Sequence, residues 1–215
     1  MLEKNIPLIL GSSSLGRHRL LKQAVDVPFI TVSPDVDETL LPREKAEQAV
    51  LRLAKAKMVS CRLKRQDAFL ITADTLALCG GKTLEKTTDP LQGRQHLTCI
   101  SGRKHTMITA VCVSNPAGEV RHRLVKTKVH FKRLSVEEVE AYLATDEWKN
   151  TAGGYTIEGK AERFILSIHG SYSNILGLPV YQTLNLLKGL GFAYSSEFKN
   201  SGRQASGERD ELTLC

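Results

Sequence analysis

Three groups of residues in this 215-residue sequence could do chemistry. The first is the stretch Gly11-Ser-Ser-Ser-Leu-Gly-Arg17-His18, with Ser12 and Arg17 as its candidate ligand-binding side chains. It lies between an apolar run and a helical pattern, where hydroxyls, free backbone N–H groups and a helix dipole all favour a phosphate. A Walker A loop would need Lys and then Ser or Thr after its second glycine, and Arg17-His18 stand there instead. Around Gly81-Lys82-Thr83 the first glycine of that motif is missing, because position 76 is Leu76, so a P-loop enzyme is not expected. Simple helix capping is the other reading of the serines, and it leaves Arg17 and Arg19 unexplained. The second group is carboxylates: Asp35, Asp37 and Glu38 together, and Asp74 at the end of an apolar run. Hard oxygen ligands of this kind hold Mg²⁺ or Mn²⁺ alongside waters and substrate phosphates. Against that stand a solvated loop for the triplet and an Asp-Thr turn or cap for Asp74. Lys57 and Lys86 form the third group and could complete a phosphate clamp, though either alone says little. His105 could act as a base or ligand if it is not structural.

The elements that must position these residues follow from periodicity. Ile6 to Leu10 reads as a buried strand, and a helix follows from about Gly16 to Ala24 with Leu20 and Leu21 inward. Phe29–Val32 is a second strand. Over residues 44–62, Ala46, Val50, Leu53, Ala54, Lys57 and Cys61 fall near one helical stripe, in which Lys57 is the odd member. Phe69 to Ala73 is read as a strand ending at Asp74-Thr75, which puts the carboxylate just past a strand end, where open α/β sheets place ligands. Gln92–Ile100 reads as a helix and Thr106–Ser114 as a strand, and Asn115 to Gly118 turns into a strand in which Val125, Thr127, Val129 and Phe131 alternate with Lys126, Lys128, His130 and Lys132. Ser135-Val-Glu-Glu138 fits a capping box, with Val136, Val139, Tyr142 and Leu143 as the apolar face. Strands are expected near Tyr155–Ile157 and Phe164–Ile168, a loop over Gly170–Asn174, and a last helix from Pro179 to Lys188 with proline first. This is a mixed α/β pattern over one domain, residues 1–194, with residues 195–215 read as a mobile polar tail.

Composition bounds the rest. With 41% apolar and 25% charged residues the chain is globular, and its apolar runs fall far short of the ~20 residues that span a bilayer. No membrane association and a cytoplasmic address are expected. Five scattered cysteines (Cys61, Cys79, Cys99, Cys112 and Cys215) without a C-x-x-C pair suggest neither a disulfide framework nor a zinc site. A net charge of +7 suits polyanionic partners. A single tryptophan and no aromatic-basic interleaving make nucleic acid an unexpected one.

Taken in order, several segments resemble the Maf family of nucleotide pyrophosphatases. They are Leu8 to Ser14 with Arg17; Val36-Asp-Glu38; Leu51-Arg-Leu-Ala-Lys-Ala-Lys57; Thr72-Ala-Asp-Thr75 with Leu84-Glu-Lys86; Ser101-Gly102, His105 and Thr109; Ala152 to Gly159; and Gly170 to Pro179. The resemblance implies an elongated mixed sheet in two lobes around a central cleft, similar to the inosine triphosphate pyrophosphatase architecture, and a homodimer. It also implies hydrolysis of a nucleoside triphosphate to the monophosphate and pyrophosphate with Mg²⁺ or Mn²⁺. By position, Asp74 matches the catalytic carboxylate, either activating water directly or holding the metal that does, and Glu38 a metal or water ligand beside it, while Ser12, Arg17, Lys57 and Lys86 match a phosphate clamp. Three positions depart from the family pattern: Leu15-Gly16 replaces Pro-Arg, Thr151 replaces a lysine, and Glu158 replaces the glutamine of the dTTP/UTP branch. A carboxylate there only accepts hydrogen bonds when ionised, which bears on a base-binding role for Glu158. A dTTP/UTP-like or modified nucleotide is the expected substrate; a 7-methyl-GTP-type substrate, or a non-catalytic binding protein on the same fold, are the alternatives.

Overall fold

A computed structural model describes residues 6–193; the expected tail, 195–215, lies outside the described residues. Leu8–Gly11 (β1) is buried along its whole length, as befits a strand covered on both faces, and pairs in parallel with Phe29–Val32 (β2) and with Phe69–Cys79 (β3). The helix Leu15–Ala24 (α1) makes the first crossover and Ala46–Lys64 (α2) the second. Each residue of the expected α2 stripe is buried, Lys57 included. Gly11 ends β1 where α2 and β3 close in: a Cβ there would lie 2.7 Å from both Cys61 Sγ and Thr72 Cγ2.

After β3 the sheet becomes antiparallel. Lys82–Leu84 (β4) hairpins onto the end of β3, Pro90–Ile100 (α3) follows, and Lys104–Ser114 (β5) pairs with β3 over Leu70–Leu78. Val120–Phe131 (β6) and Ile165–His169 (β7) extend the sheet to the order β2-β1-β3-β5-β6-β7, with β4 beside β3. Helices Val136–Leu143 (α4), Tyr172–Ile175 (α5) and Val180–Gly189 (α6) are the remaining α-helices among the described residues. Three long strands, β3, β5 and β6, run through two halves. In one half, Leu8, Leu21, Ile71 and Leu187 pack on one face of the sheet, and Ile9, Val50, Leu70 and Ile108 on the other. In the other half, Phe131, Trp148, Tyr155 and Phe164 gather with Leu97 and Ile100 of α3.

The register explains where a cleft can form. One edge of β3 pairs with β5; on its other edge β1 stops at Thr72 and β4 begins at Ala77. Ala73–Leu76 therefore face a gap between the two halves. Asp74 is thus inside an unbroken strand rather than past its end, because pairing with β5 carries β3 on to Cys79.

Other boundaries shift for local reasons. Tyr155–Ile157 is not a strand: Tyr155 and Ile157 are buried, but no neighbouring strand pairs with them, and positive-φ Gly153 and Gly154 turn the chain just before. The expected loop at Gly170–Asn174 turns into α5 at Tyr172, capped by Ser171, and Pro179 is the N-cap of α6 rather than its first residue. The Ser135 capping box forms as read, though Val136 is exposed. On β6, Thr127, Val129 and Phe131 are buried, and Lys126 of the cationic face pairs with Glu47 at 2.7 Å. Cys61, Cys79 and Cys112 are buried free thiols. Among the described residues no helix is long and apolar enough to cross a membrane.

His105 belongs to the core. It is 1% exposed, shares a 2.8 Å hydrogen bond between Nε2 and Tyr155 Oη, and packs edge-on against Phe131 and Tyr155. Burial pushes its imidazole down to about 4. The unfolded chain takes up this proton near pH 6.5, so the stability that neutral His105 contributes is complete above that pH. It is lost as pH falls from 6.5 to about 4, at about 1.4 kcal/mol per unit of separation between the two pKa values. Urea unfolding between pH 7.5 and 4.5 should therefore show a steeper loss in the wild type than in His105→Gln; equal slopes would assign the acid sensitivity elsewhere.

Candidate active site

The site is built around Lys57. Carried on the inner face of α2, its Nζ donates to Asp74 Oδ1 at 2.5 Å and lies 2.7 Å from Glu38 Oε1. Lys57 and Asp74 are 2% and 3% exposed, whereas Glu38 is on the open loop between β2 and α2 and stands half out of the protein. The other oxygen of Glu38 faces Lys86 Nζ at 3.5 Å, from the loop after β4. Burial alone would raise the Glu38 carboxyl, but the Lys57 hydrogen bond and the nearby Lys86 charge outweigh it and hold the group below its ordinary value. The acidic triplet does not act as a unit: Asp37 Oδ1 accepts from Thr39 N and Oγ1 at 2.9 and 2.6 Å and shapes a turn, and the Asp35 backbone is tied to Ser60.

Arg17 sits one turn into α1, whose N-cap is Ser14. It is 6% exposed, and its donors go to neutral oxygens: Nε to Gly177 O at 2.8 Å, Nη1 to Ser12 Oγ at 3.3 Å and Nη2 to Thr75 Oγ1 at 3.1 Å. Among the described residues no carboxylate pairs with it. Burial lowers its pKa, an effect partly opposed by the charges of Asp74 and Glu38, yet a guanidinium stays charged. Lys57 and Lys86 already balance Asp74 and Glu38, which leaves Arg17 as a buried cation without a counter-ion of its own.

The network continues away from the cleft. Thr75 Oγ1 and Thr109 Oγ1 are 3.0 Å apart, Thr109 donates to Asn174 O at 3.2 Å, and fully buried Asn174 donates from Nδ2 to Met107 O and Thr127 Oγ1. One chain of polar contacts thus joins α1, β3, β5, β6 and α5. Ser12, Arg17, Lys57, Glu38, Lys86 and Glu158 all line a cleft of ≈ 640 Å³, with Asp74 beneath Lys57. Glu158 is engaged: its Oε2 accepts from Arg19 Nη2 at 2.6 Å across the mouth of the cleft. The structure therefore gathers Ser12, Arg17, Glu38, Lys57, Asp74, Lys86 and Glu158, while Asp35, Asp37 and His105 stand outside the cleft. It adds Arg19, Lys149 and Thr75 to the lining. It also gives a role to Gly177, for which the signal in the sequence is its place in the Gly170–Pro179 segment that carries the family resemblance.

Cations arranged around ionised carboxylates, at the start of a helix, can bind a phosphate chain and hold a water or a hard metal ion beside it. The profile of the Maf-like protein family matches residues 7–190. A nucleoside triphosphate pyrophosphatase of Anaplasma phagocytophilum (strain HZ) is 46% identical over 186 residues, 85% of this chain and 94% of that protein. A dTTP/UTP pyrophosphatase of Hyphomonas neptunium (strain ATCC 15444) is 42% identical, covering 86% and 96%. The chain belongs to the Maf family. A solved nucleoside-triphosphatase / dITP/XTP pyrophosphatase from Mycobacterium abscessus overlaps 60% of this chain and 76% of its own at a TM-score of 0.38 and 14% identity.

In this Maf chain the three departures all lie on the cleft wall. A Cβ on Gly16 would meet Leu176 O at 3.5 Å, an ordinary contact, so the backbone leaves room for a side chain that the sequence does not supply. Thr151 donates from Oγ1 to Trp148 O at 2.7 Å and contributes no cation. Gly177, in contrast, cannot be exchanged: its φ is +96°, and a Cβ would lie 3.1 Å from both Arg17 Nε and Thr75 Oγ1. Gly177→Ala should cost about 1–3 kcal/mol in urea unfolding, more than a methyl group on a surface loop. A variant as stable as the wild type would show that the Arg17 seat is not rigid.

Proposed function

We propose that this chain is a nucleoside triphosphate pyrophosphatase, converting a nucleoside triphosphate to the monophosphate and pyrophosphate. The observation that carries the reading is Arg17, a buried cation held by neutral oxygens on the wall of a cleft that also presents Lys57 and Lys86. A polyphosphate supplies the negative charge this arrangement lacks. The names of the relatives support the bond that is broken, and those named dTTP/UTP pyrophosphatases support a dTTP- or UTP-like substrate. Homodimer formation and a cytoplasmic location belong to the same reading; the first rests on the family resemblance and the second on the short apolar runs of the sequence.

Arg17, Lys57 and Lys86 draw the phosphate chain against the end of β1 and neutralise charge that develops on the leaving pyrophosphate. Asp74 is assigned the attacking water. Its Oδ1 is fixed by Lys57, while among the described residues Oδ2 accepts no hydrogen bond and is the atom that takes the water's proton. The new bond forms at the α-phosphorus and the α–β bridging oxygen leaves with pyrophosphate. Ser12 orients Arg17 and the loop, accepting from both Arg17 Nη1 and Ser14 N.

Mg²⁺ or Mn²⁺ fits this donor set as a partly hydrated ion does. Two carboxylates from different elements, Glu38 and Asp74, converge on one ammonium, and Glu38 is open to solvent and substrate. Those two residues would hold the ion, which when bound supplies Lewis-acid activation of water and phosphate.

Pyrophosphate release from dTTP and UTP, with Mg²⁺ or Mn²⁺ present and after chelation, tests the proposal. Asp74→Asn should lose at least about 100-fold in turnover. It should also unfold more easily by about 3 kcal/mol, because Lys57 then lies buried with only half-open Glu38. Adding Lys57→Met to Asp74→Asn should restore stability but not turnover; full turnover in either variant would remove Asp74 from its assigned role.

A further inference from the structure

The segment between β2 and α2 carries Glu38 without regular secondary structure, yet a buried-edge clasp holds it. Arg52, on α2 five residues before Lys57, donates from Nε to Glu44 Oε1 at 2.8 Å and from Nη2 to Glu44 Oε2 at 2.7 Å, a two-pronged contact. Nη2 also reaches Thr39 O at 3.1 Å, the residue after Glu38. Glu44, whose side chain is 9% exposed, accepts in addition from Leu41 N at 3.2 Å. The Asp37–Thr39 turn closes around Glu38 and ties the residue before it to the residue after it. Thus both flanks of Glu38 are fixed, and the downstream flank is fixed to the same helix that supplies Lys57.

We infer that Arg52 and Glu44 are positioning residues for Glu38: the clasp presets the distance between Glu38 and the Lys57–Asp74 pair, so the loop is ordered before substrate arrives. This rests on the role proposed above for Glu38. Ordering an irregular segment costs conformational entropy, and a rigid helix carrying both the clasp and the lysine meets that cost during folding rather than during each catalytic cycle. Lysine cannot replace Arg52, because a single ammonium does not reproduce the planar fork that spans both Glu44 oxygens.

The test is a mutant cycle on pyrophosphate release, with trypsin cleavage after Arg43 as a readout independent of activity. Arg52→Gln and Glu44→Ala should each lower kcat about tenfold or more with a smaller change in KM, and the double variant should be no worse than either alone. Arg52→Lys should not rescue. In a Glu38→Gln background, Arg52→Gln should change turnover less than about twofold, since the residue it positions is already disabled. Cleavage after Arg43, within the clasped loop, should rise severalfold in Arg52→Gln and Glu44→Ala while the thermal midpoint stays within a few degrees. The same tenfold loss in the Glu38→Gln background would make Arg52 a general structural residue and overturn the inference, as would unchanged cleavage. Normal turnover in Glu38→Gln alone would strike the reading of Glu38 itself, and the inference with it, by a result that none of the Arg52 variants could mimic.

Discussion

An ammonium group taken out of water must be met by anions, and the placement of Lys57 makes that requirement the organising constraint of the molecule. Its carbon chain shares the inner stripe of α2 with Val50, Leu53 and Ala54, so burying the stripe against the sheet buries the charge as well. Asp74 is the answer from the sheet and Glu38 the answer from the loop. Once α2 is docked, both carboxylates have fixed addresses. The stability of this half and the geometry of the site are therefore one problem: an apolar residue at position 57 would simplify the packing and leave Asp74 buried without a partner.

The second constraint comes from the sheet. A purely parallel α/β sheet offers a ligand site at the carboxyl ends of its strands, and here β1 ends in that way, at Gly11. But β3 does not end with it. By continuing to Cys79 as the partner of β5, β3 carries Asp74 and Thr75 past the end of β1 and into a second half built from antiparallel pairs. The cleft lies where one kind of pairing gives way to the other. Its walls are joined across that change by hydrogen bonds from Arg17 through Thr75 and Thr109 to Asn174, with Thr127 beyond, so the N-terminal end of α1 is held by residues as distant in sequence as α5.

What could be read from the sequence follows the range of the interactions involved. The α2 stripe was legible because helical periodicity is local, and Lys57 stood out within it as the odd member, its role coming from the family resemblance. The Ser135 capping box was legible because it closes within four residues. The residues of the site could be named, from their types and from the family resemblance, but not their arrangement. Nothing local says that Glu38 and not Asp35 or Asp37 faces Lys57; that is decided by the Asp37–Thr39 turn and by Arg52, which lies well beyond the loop it holds. Tyr155–Ile157 has the alternating apolar residues of a strand but no edge to pair with, since β7 already occupies the outer side of β6 over Lys128–Phe131. Gly177 shows the same limit, for its need of positive φ and of a missing Cβ arises from Arg17, 160 positions away.

Long-range placement also bears on the departures from the family pattern. Read along the chain, Gly16 and Thr151 look like the loss of two cations from a phosphate site. Read in space, the cleft is lined by Arg19, three residues beyond Gly16 on α1, and by Lys149, two residues before Thr151. Both are partly exposed and each rests on a carboxylate, Arg19 on Glu158 at 2.6 Å and Lys149 on Asp146 at 2.8 Å. Such exposed pairs are worth little in stability, typically below about 1 kcal/mol, so a polyanion entering the cleft competes for these side chains at small cost. The buried cations are different: Lys57 is committed to its carboxylates and Arg17 to its oxygens. The cleft therefore combines a rigid cationic floor, fixed by folding, with a movable cationic rim. It is the path of the backbone around the gap in the sheet, more than the residue at any one motif position, that sets how much positive charge a phosphate chain would meet.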